Sequence, residues 1–77
     1  MRREVPHVGE PPHVRFGRRV RELREAAGVE QQELASRVGM SGGYLSGIER
    51  GIRNPTLDVV FALAHALRVQ PAALFQD

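Results

Sequence analysis

Residues 31–51, QQELASRVGMSGGYLSGIERG, decide the fold, because they combine helical periodicity, a forced turn and a second helix at fixed offsets. Leu34, Ala35 and Val38 share one face of a first short helix, since residues three and four apart lie one above the other. Gly39 ends that helix by taking the left-handed backbone conformation, and Met40 follows as an apolar plug between the two helices. Ser41 stands where its hydroxyl can cap the next helix, whose inward face is set by Leu45 and Ile48. Two helices joined by so short a turn cross steeply, and Ala35 is small enough to let their backbones approach.

The outward face of the second helix carries Gly42, Gly43, Tyr44, Ser46, Gly47 and Arg50, a surface that is polar, small and not acidic. A plain helical hairpin inside any all-α core would satisfy the apolar positions alone. Leu34, Ala35, Val38, Gly39, Met40, Leu45 and Ile48 taken together meet the narrower template of a helix-turn-helix that presents its second helix to DNA.

Upstream, residues 1–12 hold Pro6, Gly9, Pro11 and Pro12 with little apolar periodicity, and read as a flexible N-terminal arm whose Arg2 and Arg3 are within reach of DNA. A first helix over 13–28 follows the proline pair, buries Phe16, Val20, Leu23 and Ala27, and ends on Gly28. Downstream, Asn54 is biased away from helix by Pro55, and Thr56 caps a fourth helix through Leu67. Its apolar stripe reads Leu57, Val60, Phe61, Ala64 and Leu67, with Asp58 suiting the positive helix end. A short fifth helix begins at Pro71 and carries Leu74 and Phe75. The fold class is therefore all-α, a compact bundle of about five short helices around a central helix-turn-helix, with residues 13–77 as one domain.

Composition narrows the function. The chain has 77 residues, no cysteine and an apolar fraction of 42%, so no disulfide or thiolate metal site supplements a small core, and dimerisation is the expected supplement. His7, His13 and His65 have no ligand spacing, so neither metal nor cofactor is expected. No apolar run reaches membrane-spanning or signal length, which reads as a soluble cytoplasmic protein without a membrane partner. The net charge of +2 is uninformative, but all 11 basic residues are arginine, and Arg15, Arg18, Arg19, Arg21 and Arg24 crowd the first helix. They read equally as a solvated face interleaved with Glu22 and Glu25 or as a phosphate-facing set. No carboxylate pair, activated nucleophile or phosphate-cradling loop argues for an enzyme.

The stretch GVEQQELASRVGMSGGYLSGIERGIRNPTLDVVFALAHAL resembles the lambda-repressor-like, Cro-type helix-turn-helix proteins, through Gln31, Leu34, Ala35, Gly39, Ile48, Glu49 and Gly51. The string YLSGIERGIRNPT is similar to the controller proteins of restriction-modification systems. The resemblance implies double-stranded DNA as partner, a homodimer on a two-fold operator, and the second motif helix in the major groove. It implies that Gln31, Arg53 and Asn54 hold backbone phosphates, and that Arg24 and Glu49 form an ion pair tying the first helix to the recognition helix. Glu30 stands where the family has a serine or threonine cap. Gly42 and Gly43 stand where it presents long polar side chains to base edges.

These readings combine into a sequence-specific, non-enzymatic transcriptional regulator. Ser41, Tyr44 and Ser46 are the side chains for base readout, with Arg50 or Arg53 reaching further, and Gly42 and Gly43 allow the helix to approach DNA closely. Tyr44 has two readings: a base reader, or a ring packed on the preceding helix with only its hydroxyl at a phosphate. The dimer contact is assigned to Leu74 and Phe75. The competing class is an antitoxin or other protein-interaction module on the same fold.

Overall fold

Pro11 and Pro12 set the start of α1 (Pro12–Ala26), since a proline at the first helical position gives up an N–H that would be unpaired there anyway. The computed structural model describes residues 9–76. After α1 come α2 (Gln31–Val38), α3 (Gly42–Glu49), α4 (Leu57–Leu67) and a 3-10 helix (Pro71–Phe75). The described residues thus form four α-helices and one short 3-10 helix, with no strand among them. Arg2, Arg3 and His7 lie outside the described residues. Of the expected arm, Pro12 belongs to α1, and Glu10 is tied to the same helix by a 2.7 Å ion pair with Arg18. That hydrogen bond from Arg18 holds the Glu10 carboxyl below the ordinary carboxylate range.

One device ends all four α-helices. Gly28, Gly39, Gly51 and Arg68 take positive φ angles, from 60° to 80°. The amide after each reaches back to a carbonyl five residues earlier: Val29 to Arg24, Met40 to Ala35, Ile52 to Gly47 and Val69 to Ala64. Arg68 is the one non-glycine among them, and its Cβ crowds the following carbonyl in this conformation. Arg68→Gly is expected to raise stability by roughly 0.5 to 1 kcal/mol, read as a higher urea midpoint with an unchanged slope. A lowered midpoint would show that the exposed arginine side chain contributes more than its backbone costs.

Phe16 and Val20 of α1, Leu34 and Ala35 of α2, Leu45 and Ile48 of α3, Val60, Leu63, Ala64 and Leu67 of α4, and Leu74 form one core. Helix α1 lies against α3, α2 against both α3 and α4, and the 3-10 helix closes on α1 and α4. The Arg19 Nε donates to the Ala73 carbonyl at 2.9 Å and ties that closure down. Three expectations about the core are corrected. Leu57 and Phe61 are 73% and 57% exposed, while Leu63, absent from the expected stripe, is fully buried. Ala27 is exposed, because the chain is already turning out of α1 there. Leu74 is fully buried, so its side chain belongs to the core and is closed to a partner.

Ala35 is buried as a small contact residue should be, and a second close approach lies at Gly17 of α1, which is also buried. A Cβ built there would collide with the Ile48 carbonyl oxygen and lie 3.3 Å from the Glu49 Cα. Helix α1 therefore approaches the last turn of α3 backbone to backbone, and this approach sets where α3 points.

Candidate nucleic-acid interface

Glu49 ends α3 inside the protein, at 8% exposure, and is held from both preceding helices. Arg24 donates to its two carboxylate oxygens at 2.7 and 3.0 Å, a bidentate pair from α1. Gln31 at the start of α2 adds Nε2–H to Oε1 at 3.0 Å, and Arg24 also donates to the Val29 carbonyl at 2.9 Å. Hydrogen bonding to Glu49 raises the Arg24 pKa above its already high ordinary value, so the guanidinium stays charged. The resemblance implies an ion pair between Arg24 and Glu49, and in the structure the two side chains are hydrogen-bonded. Gln31 joins them through one amide hydrogen, and its second amide hydrogen has no partner among the described residues.

The opposite end of α3 faces outward. Ser41 caps it by accepting the Tyr44 amide at 3.0 Å, whereas Glu30 makes no side-chain cap for α2. The two glycines that follow Ser41 differ. Gly43 is exposed with nothing near the place a Cβ would take, but at Gly42 a Cβ would collide with the Gln32 amide oxygen. Tyr44 is half-buried with its ring against the core, which favours the packed reading of that residue. Arg53 lies over the ring at 5.7 Å from guanidinium carbon to centroid.

Gly47 is a correction: expected on the outward face, it is buried, and a Cβ there would stand 2.8 Å from the Arg53 Cγ. The Gly47 carbonyl accepts the Ile52 and Arg53 amides at 2.8 and 3.2 Å. The loop bearing Arg53 and Asn54 is thereby folded onto α3, with both side chains exposed. Ser46 and Arg50 form a neighbouring pair, Nε to Oγ at 3.2 Å, on the wall of a cleft that also includes Arg21, Gln31 and Glu49. Arg21 pairs with Glu25 at 3.1 Å, largely in solvent, so this arginine is easily redirected to an anion. Of the arginines on α1, Arg24 and Arg19 are thus committed to structure, and Arg21 borders the cleft. Phe75, the other residue assigned to a dimer contact, is 56% exposed with its ring 5.5 Å from that of Phe16. Among the described residues no cluster of acidic, histidine or cysteine side chains could hold a metal, and no helix is long and apolar enough to cross a membrane.

A family model described as a helix-turn-helix domain matches residues 15–75, from early α1 to the end of the 3-10 helix. The chain belongs to the helix-turn-helix domain family. Within it, the chain is 46% identical over 56 residues to an uncharacterised HTH-type transcriptional regulator of Mycobacterium tuberculosis, a match covering 73% of this chain but only 40% of that protein. The crystal structure of the restriction-modification controller protein C.AhdI from Aeromonas hydrophila superposes with a TM-score of 0.78 at 47% identity, covering 80% of this chain and 94% of that one. SinR of Bacillus subtilis, the master regulator for biofilm formation, was solved in complex with DNA; it matches with a TM-score of 0.74 at 31% identity, over 79% of this chain and 98% of that one. Membership of the lambda-repressor-like group, expected from the motif residues, is borne out, as is the likeness to controller proteins.

Sequence reasoning misses two features of this helix-turn-helix surface. Gln32 carries none of the family resemblance, which rests on its neighbour Gln31, although the first turn of α2 abuts the start of α3. Spacing alone puts Gly47 on the outward face, because nothing in it shows that Arg53 folds back over that glycine.

Proposed function

We propose that this chain is a cytoplasmic, non-enzymatic transcriptional regulator that binds a two-fold DNA operator as a homodimer. The observation that carries the reading is the rigid presentation of α3: its inner end is fixed by Arg24, Glu49 and Gln31, while its capped outer end and Arg50 stay open. Membership in a family with a DNA-bound structure, that of SinR, supports it. In this reading the free N–H of Gln31, with Arg21 and Arg50 around the cleft, holds one backbone phosphate, and Arg53 with Asn54 holds another. Ser41 and Ser46 face the groove, the packed Tyr44 brings only its hydroxyl toward a phosphate, and the open side of Gly43 lets the first turn of α3 approach the DNA closely. The test is a fluorescence titration of the full chain with fragments of its own genome at several salt concentrations. Operator binding is expected to weaken steeply with salt while one fragment stays favoured over bulk DNA. Salt-insensitive or absent DNA binding would leave the protein-interaction reading instead.

The dimer contact is placed on α4 rather than at Leu74 and Phe75. Leu57 and Phe61 lie one helical turn apart on the same side of α4, and both are largely exposed in a chain with few apolar residues to spare. A symmetric contact between two such stripes would set two recognition helices about 34 Å apart, one turn of DNA. Phe61→Glu is expected to convert the protein to monomer in sedimentation and to weaken operator binding at least about tenfold, with the fold intact because the side chain is outside the core. A dimer that survives Phe61→Glu and dissociates in Phe75→Ala would return the contact to the C-terminal segment.

A further inference from the structure

The recognition helix lacks side chains at the two positions that lead it into the groove, Gly42 and Gly43, yet the space at Gly42 is filled. Its occupant is the amide of Gln32, one residue into α2, whose oxygen lies too close to leave room for a Cβ at position 42. Gln32 is exposed, and its amide makes no hydrogen bond among the described residues. It therefore differs from Gln31, whose amide is spent in part on Glu49. A primary amide offers one donor and one acceptor side by side, the pair that matches the N6 and N7 edge of adenine in the major groove.

Resting on the operator-binding reading above, we propose that Gln32 is a specificity-determining residue that reads an A·T pair from α2, across the bare surface of Gly42. The glycine is what makes room. Any side chain at position 42 would push the Gln32 amide aside and take over the front of α3 itself. Gly43 contributes differently, since nothing surrounds it and its missing side chain lets the amide and the helix end come close to the base edge. The neighbouring helix thereby supplies the base readout that two glycines cannot provide.

The experiment selects bound sites from a randomised duplex library with the full wild-type chain, then with Gln32→Ala and Gly42→Ala. Affinities are next measured on the selected site and on single base-pair changes of it. For the wild type, exchanging one A·T pair in each half-site for G·C is expected to cost roughly tenfold or more per half-site. Gln32→Ala should bind both versions equally while keeping its preferences at every other position. Gly42→Ala should lose the same preference, because it displaces the amide without touching it chemically. Uniform weakening on all sequences, with the base preferences of Gln32→Ala unchanged, would assign Gln32 to a phosphate and overturn the proposal. Preferences retained in both variants would overturn it equally. A wild type that enriches no sequence at all would instead fail the operator-binding reading, and this one with it.

Discussion

Gly17→Ala is expected to destabilise the protein by about 3 kcal/mol or more, a fall in melting temperature on the order of 15 °C for a domain of this size. The added methyl would meet the Ile48 carbonyl group and the Glu49 Cα. Both belong to backbone, so no rotamer change relieves the clash and the two helices must separate. Alanine returns up to about 1 kcal/mol of helix propensity over glycine, too little to offset that. The comparison that isolates the cause is Gly43→Ala, placed in open space near the start of α3, where the same chemical change should be neutral or stabilising. Thermal melts of the two variants decide it. A Gly17→Ala protein that melts with the wild type would mean α1 and α3 are free to move apart. Function should follow the same contact, because a displaced α3 no longer projects from the place where Arg24 and Gln31 hold it.

How legible the fold is in the sequence depends on whether a residue signals its surroundings by pattern. The turn between α2 and α3, with Gly39 left-handed and Ser41 capping, can be read directly because those residue types have few other uses at such spacing. The inward stripe of α1 at Phe16, Val20 and Leu23 stands out against charged neighbours. In α4, LDVVFALAHAL, apolar residues surround nearly the whole helix, so periodicity does not choose a face. It points to Leu57 and Phe61 where the structure buries Leu63. Adjacent Leu74 and Phe75 fail the same way, one entering the core and its neighbour remaining half outside. Glycine carries the least information of all. Gly17 leaves a helix unmarked, yet the close approach of α1 to the backbone of α3 depends on it.

The site shows the same division. Arg24 and Glu49 can be paired from resemblance, but the resemblance assigns Gln31 wholly to phosphate. That its amide also supports Glu49 appears only once α2 and α3 are placed. Gln32 is invisible for a related reason: its role depends on what position 42 lacks, a property of two helices together.

The second large effect concerns Arg24 and Glu49. Removing either partner is expected to cost about 3 kcal/mol or more, and the double change to Ala less than the sum by about 1 to 3 kcal/mol. The two single losses should be unequal. Arg24→Ala leaves a short carboxylate with a side chain only 3% exposed and Gln31 as its remaining donor. Glu49→Ala leaves a long guanidinium side chain that keeps the Val29 carbonyl and starts near the end of α1, from where it can extend toward water. The stranded carboxylate is the more costly of the two, so Arg24→Ala should have the lower urea midpoint. Strictly additive losses across the four proteins would remove the coupled buried pair, and a lower midpoint for Glu49→Ala would show that Arg24 is held too firmly to escape. Under the proposed operator-binding reading, the folded fraction of Glu49→Ala should also bind operator more weakly than its stability explains, since Gln31 loses the acceptor that orients the N–H proposed to hold a phosphate.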